Sequence, residues 1–213
     1  MTDWGQLYRD HVDAITALAD GLTDDQLALT VPGTPAWTVR DVLAHLAGGP
    51  ADGVTGRMDG APGPEWTARH VGERAVVPVT DLLEEMHTHQ EAIAASVADS
   101  PRPAVVWDIA VHHADLHEAL GLGPVPERLW SPVVETLAPL VLSQSPATVR
   151  SGEGTYGAGG PQVEVSPYEL FRALFSRRSR AQMRAWGAPA LDDEQLAGLC
   201  VFGPRDDDQP VPG

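Results

Sequence analysis

The sequence predicts a mainly α protein, with an antiparallel four-helix bundle over residues 1–145 and a small α+β C-terminal part over residues 146–213. Three observations carry this expectation. Apolar residues recur at helical spacing in four segments ahead of Gly121, and capping or turn residues bound each segment. A glycine-rich stretch with short β-prone runs follows Ser145. The 213-residue length suits one large domain with a smaller appendage.

The first segment runs from Asp3 to about Leu22, where Leu7, Val12, Ile15, Leu18 and Ala19 mark one face. Two prolines and a glycine in LTVPGTPAW then interrupt the pattern. Thr38, with Asp41 three residues on, forms a capping-box-like start for VRDVLAHLAGG, which Gly48, Gly49 and Pro50 are expected to end. Between Gly53 and Pro78 turn residues mix with a short helical phrase, and a loop across one end of the bundle is expected. Leu82, Leu83, Met86, Ile93 and Val97 mark the third helix, opened by Thr80 or Asp81 and closed at the SPRP turn of residues 100–103. The fourth runs from about Ala104 to Leu120, with Val105, Ile109, Leu116 and Leu120 inward and Gly121 as the stop.

A further helix is expected from Arg128 to Ser143, bent or broken by Pro139. The stretch ATVRSGEGTYGAGGPQVEVSP reads as a hairpin. Ser166, Pro167 and Glu169 supply N-cap, first-position and third-position signals for one helix through YELFRALFSRRSRAQMRAW. The Asp- and Pro-rich tail from Gly203 is expected to fray.

Composition excludes several classes of function. Fourteen Lys and Arg against thirty Asp and Glu give a formal net charge of -16, which repels nucleic-acid phosphates and anionic membranes. No run approaches the roughly 18 apolar residues of a membrane span, and the N-terminus lacks the pattern of a secretory signal. A single cysteine, Cys200, rules out an intrachain disulfide framework or a thiol metal cluster, and it reads as a small buried hydrophobe. A cytoplasmic protein, as monomer or homodimer, is expected.

The chemistry lies in the histidines. On a helix Asp108 and His112 share a face, and His45 from a neighbouring helix could complete a facial set around a divalent metal with open positions for substrate. Imidazole and carboxylate donors suit zinc, iron, nickel or manganese better than calcium. Helical geometry equally offers the pair His113 and His117 on the opposite flank, and His89 on the third helix's apolar stripe. His11, His70 and His87 read as surface residues. Trp37, Trp66 and Trp107 flank these segments, as pocket walls or as core.

TPAWTVRDVLAHLAGG, EWTARHVGER, DIAVHHADLHEALG and VSPYELFRALFSRRSRAQMRAWG, taken in order, resemble the mycothiol-dependent maleylpyruvate isomerase family, whose N-terminal domain is a DinB-like metal-binding bundle. The resemblance implies a divalent metal, zinc first and iron or nickel next, held by His45, Asp108 and His112. It also implies mycothiol as cofactor and a small electrophile as substrate, a carboxylate among the candidates. Two departures stand out. The enzyme that gives the family its name is expected to carry glutamate where this chain has Asp108. Many relatives read H-E-x-D-I-R after the ligand histidine, whereas here HHADLH puts His113 and His117 in place of an acid and a base.

The expected reaction is thiol addition to an activated alkene, ending in isomerisation or in S-transfer. His113, His117 and Arg177 are the candidate catalytic residues. Arg177, Arg180 and Arg184 would share a helical face able to hold a carboxylate; the plainer reading pairs these arginines with the acidic bundle surface. A thiol-independent metal hydrolase or lyase of the same fold, or a non-catalytic ligand-binding or resistance protein, are the competing functions.

Overall fold

In the computed structural model, which describes residues 2–186 and 191–211, Asp3 accepts a hydrogen bond from the Gln6 backbone and starts α1 (Trp4–Ala19). A short α2 (Asp24–Leu27) follows, then α3 (Val39–Thr55), α4 (Pro64–Glu73), α5 (Val79–Val97) and α6 (Ala104–Ala119). These elements belong to one compact unit, Met1–Pro124, and the rest to a second, Val125–Gly213. In the first unit α5 packs on both α1 and α3, and α6 packs on the same two helices, so the four long helices close a ring. Tyr8, Val12, Ile15, Leu43, Leu46, Leu82, Met86, Ile109 and Leu116 fill its centre. The sequence assigned α6 a single inward stripe. Instead the helix is buried almost throughout its middle, with His112, His113, Asp115 and Glu118 buried alongside the apolar residues.

Thr38 starts α3 through a reciprocal capping box with Asp41 (2.9 and 3.2 Å), as its spacing predicted. The expected stop at Gly48, Gly49 and Pro50 does not occur. The helix runs on to Thr55 and ends at Gly56, whose φ of 78° is left-handed. Gly48 is a packing residue: a Cβ there would lie 2.7 Å from His70 Cβ and Cγ, on α4, and from Nη1 of Arg74, which caps the end of α4. The segment expected to be mostly loop thus holds a helix pressed closely onto α3. Gly48→Ala gains about 1 kcal/mol of helix propensity, but overpacking a tight contact costs about 1–3 kcal/mol. The expected outcome is a lower thermal unfolding midpoint; an unchanged or raised midpoint would show that α4 yields freely.

In the second unit α7 (Glu127–Leu142) continues through both Pro132 and Pro139, so Pro139, expected to bend or break the helix, does not break it. β1 (Thr148–Ser151) pairs antiparallel with β2 (Gly154–Tyr156) and parallel with β3 (Gln162–Glu164), adding a strand to the expected hairpin. Ser166 caps α8 (Pro167–Leu174), which packs on α7, with the Trp130 and Phe171 rings stacked at 5.9 Å.

The single long helix expected here is two. Ser176 takes a left-handed φ of 61°, and Ser179 then opens α9 (Arg180–Arg184) by a capping box with Gln182. A short α10 (Asp193–Ala197) follows. Arg177 therefore lies in the turn ahead of α9 and shares no helical face with Arg180 and Arg184. Three of the arginines pair with acids of their own unit. Fully buried Arg178 binds Glu169 through two hydrogen bonds (2.7 and 2.6 Å), Arg184 binds Asp193 (2.6 Å), and Arg180 binds Asp206. The tail expected to fray is docked from Arg205 to Gln209: Arg205 N donates to Arg178 O (3.1 Å), and Gln182 donates to Gln209 O (2.6 Å).

Candidate metal centre

The capping box fixes where α3 begins, and two turns later His45 points from it towards α6. There Asp108 and His112, four residues apart, stand on one face. His45 Nε2 lies 3.2 Å from Asp108 Oδ2, and His112 Nε2 lies 3.7 Å from Asp108 Oδ1. One ligand atom from each of the three residues lies within 4.8 Å of the other two. The imidazoles are buried, with 4% and 7% of their side chains exposed, whereas Asp108 keeps 46%. The cluster therefore opens to solvent on its carboxylate side.

Each imidazole has a second group at its far nitrogen. His45 Nδ1 faces His70 Nδ1 at 3.2 Å, and His70 Nε2 reaches Asp52 Oδ2 at 3.0 Å. His112 Nδ1 lies 3.1 Å from the buried Asp115 carboxylate, one turn on, although not in line for a hydrogen bond. Histidines that bind metals regularly have such outer partners, which fix the ring and raise its basicity. Two borderline nitrogen donors and one hard oxygen, with an open side, fit a divalent cation of the zinc type.

Aromatic rings wall the cluster. Trp37, held in the turn ahead of α3 by Val31 N donating to its carbonyl (2.9 Å), lies 5.0 Å from the His45 ring and 5.8 Å from the His112 ring. Trp66, four residues before His70 on α4, lies 6.3 Å from His45 and 4.1 Å from His70. Tyr8 of α1 is fully buried, and its hydroxyl has no hydrogen-bond partner among the described residues. Burial and the charge of Asp108 push its pKa up, so it remains a protonated phenol.

The electrostatics behind His45 follow from burial and pairing. Burial lowers the His70 pKa, against the pull of Asp52. Burial also works against ionised Asp52, but hydrogen bonds from Arg69 and His70 outweigh it and hold the carboxyl below its usual range. Arg74, which forks onto Glu85 (2.7 and 2.6 Å), ties α4 to α5 beside this pair.

Several histidines lie elsewhere than the sequence suggested. His70 and His11, read as surface residues, are fully buried, whereas His87 is exposed. Trp66 and His70 at helical spacing were the available signal for His70. The structure groups His113 with His11 (Nδ1 to Nδ1, 3.0 Å) and with the His117 ring at 5.0 Å, rather than with Asp108. Burial, with His11 and His117 adding to it, pushes the His113 pKa down to about 2, so this imidazole is neutral at any working pH. His117 Nδ1 donates to Gly123 O (2.8 Å), and half-buried His89 is not among the clustered donors. Arg177 belongs to the second compact unit, where its buried guanidinium donates to Phe175 O (2.8 Å).

No curated protein and no solved structure matches the chain. A family model does: residues 8–150, more than half of the sequence, match the mycothiol maleylpyruvate isomerase N-terminal domain. The match runs from within α1 into β1 and so includes every residue of the cluster and both tryptophans that wall it. The chain belongs to the mycothiol maleylpyruvate isomerase N-terminal domain family.

Proposed function

We propose that this protein is a metal-dependent enzyme that uses a low-molecular-weight thiol, mycothiol, to isomerise a small electrophile or to transfer sulfur to it. The observation that carries this reading is the convergence of His45, Asp108 and His112 on a half-open cluster within a chain of the mycothiol maleylpyruvate isomerase N-terminal domain family. The three residues would hold the metal. A bound divalent cation, zinc first on this donor set, supplies the charge that lowers a thiol's pKa enough for it to be thiolate near neutral pH.

The nucleophilic sulfur has to come from outside the chain. Cys200 is buried, and burial pushes its pKa up to about 12, so it is neither accessible nor ionised. Sulfur adds to one carbon of a conjugated double bond, and rotation about the resulting single bond followed by expulsion of sulfur gives the other geometric isomer. If expulsion does not follow, the product is a thioether. Trp37 and Trp66 keep water from the faces of the imidazoles, and the Tyr8 phenol, held protonated, is a donor suited to negative charge developing nearby.

The test is product analysis by NMR of metal-loaded protein with maleylpyruvate, with and without mycothiol. Cis-trans conversion or a thioether that forms only with thiol is the expected outcome. Turnover indifferent to thiol would replace this reading with a hydrolase or lyase. Metal-loaded protein that leaves the substrate unchanged in both arms would remove this substrate class.

A further inference from the structure

With both imidazoles neutral, as a metal-binding His45 requires, the hydrogen-bond chain behind His45 has one consistent proton order. A carboxylate only accepts, so the 3.0 Å contact between His70 Nε2 and Asp52 Oδ2 places a proton on His70 Nε2. With one proton on each ring, His70 Nδ1 is then bare. His45 Nδ1, 3.2 Å away, must donate to it. That leaves His45 Nε2 bare as well, 3.2 Å from Asp108 Oδ2. Two lone-pair atoms facing one another at that distance repel unless positive charge lies between them. The reverse order would put the proton on His70 Nδ1 and the second proton on His45 Nε2, closing that nitrogen to a cation. Asp52 forbids it, because His70 Nε2 would then turn a lone pair towards a carboxylate.

We propose that His70 and Asp52 are positioning residues that impose this proton order on His45, so that its Nε2 is presented bare to a metal ion. The inference rests on the reading of His45, Asp108 and His112 as metal ligands, and it names what makes the first of them competent. Asp52 is well placed to hold the order. It lies two turns beyond His45 on α3, 2% exposed, and Arg69 donates to the same oxygen as His70, anchoring that oxygen from outside the chain of imidazoles. Arg69 also donates to Arg57 O (2.9 Å), fixing its own position. His70 is clamped between Gly48 and the Trp66 ring.

The experiment measures zinc affinity by competition with a chromogenic chelator for the unaltered protein, His70→Leu and His70→Asn, with thermal unfolding as a check on folding. His70→Leu removes both nitrogens and should weaken zinc about 10–100-fold, the usual cost of losing an outer partner of a metal-bound histidine. His70→Asn keeps an acceptor close to the position of Nδ1 and should recover most of that loss. Nitrogen-15 NMR of the zinc-loaded protein should place the His70 proton on Nε2 and the His45 proton on Nδ1. Unaltered protein that binds zinc, with His70→Leu binding it equally well, overturns the proposal and leaves the metal reading standing. Failure of the unaltered protein to bind zinc overturns both. If His70→Leu does not fold, the NMR assignment decides, since a proton on His70 Nδ1 contradicts the proposed order.

Discussion

His45→Ala is expected to reduce bound divalent metal from near one per chain to below about 0.2 after purification and dialysis, as measured by plasma mass spectrometry. The reason is the small number of donors. Among the described residues three ligand atoms converge, two of them imidazole nitrogens, and the substitution leaves a half-exposed carboxylate and one histidine. A pair of that kind binds cations weakly in water, because each open position is filled by solvent at little cost. The substitution also strips His70 Nδ1 of the group it faces at 3.2 Å, so the fold loses a buried contact as well as the site. Asp108→Glu keeps the carboxylate and is expected to retain metal, which separates loss of a donor from general damage. Equal metal in His45→Ala and in the unaltered protein would remove His45 from the ligand set.

The second large effect lies far from these residues in sequence. Glu169→Ala should destabilise the second unit by about 3–5 kcal/mol, the usual cost of removing one partner from a buried ion pair. Arg178 is fully buried and forks onto Glu169, while its remaining nitrogen donates to Arg177 O (2.6 Å). Without the carboxylate the buried guanidinium loses the acid that two of its nitrogens grip. Because Glu169 keeps 18% of its side chain exposed, water can reach the vacated place, and the loss should fall towards the lower end. Urea unfolding measures it. A midpoint unchanged from the unaltered protein would mean that Arg178 finds another acid. Arg178→Met combined with Glu169→Leu should restore much of the stability, since neither charge is then left alone.

Several helices were legible because they carry their own punctuation. Asp3, the Thr38–Asp41 box and Ser166 are local signals, and the structure uses each of them. The errors came where a residue type has two uses. Gly48, Gly49 and Pro50 resemble a helix stop, but here glycine admits α4, and no local signal distinguishes close packing from termination. Reading a stop there hid Asp52, since a residue beyond a helix end has no fixed relation to His45. His70 and His11 were assigned to the surface because histidine is usually at least partly exposed. Only the contacts of α4 with α3, and of α1 with α6, bury them.

The break between α8 and α9 was written in the Ser179–Gln182 spacing, but the arginine-rich run around it reads as continuous helix. Among the candidate ligands, spacing alone offered Asp108 with His112 and His113 with His117 on equal terms. The resemblance to the family chose the first pair, and the structure brings that pair to His45. Asp115 was within reach of the sequence too. It stands at the aspartate of the H-E-x-D-I-R pattern, which this chain keeps, three residues after His112, and the structure places it at His112 Nδ1.

His45 and Asp52 are carried on one helix, and Asp108, His112 and Asp115 on another. Within each helix the spacing of these groups is a constant of the backbone, so the donor triangle has essentially one mechanical adjustment, the separation and slide of α3 against α6. A methylene added or removed where those two helices meet would widen or narrow the triangle while leaving every donor chemically unchanged. Ion preference in such a bundle can therefore drift through interior apolar substitutions alone, and two chains with identical ligands need not select the same metal.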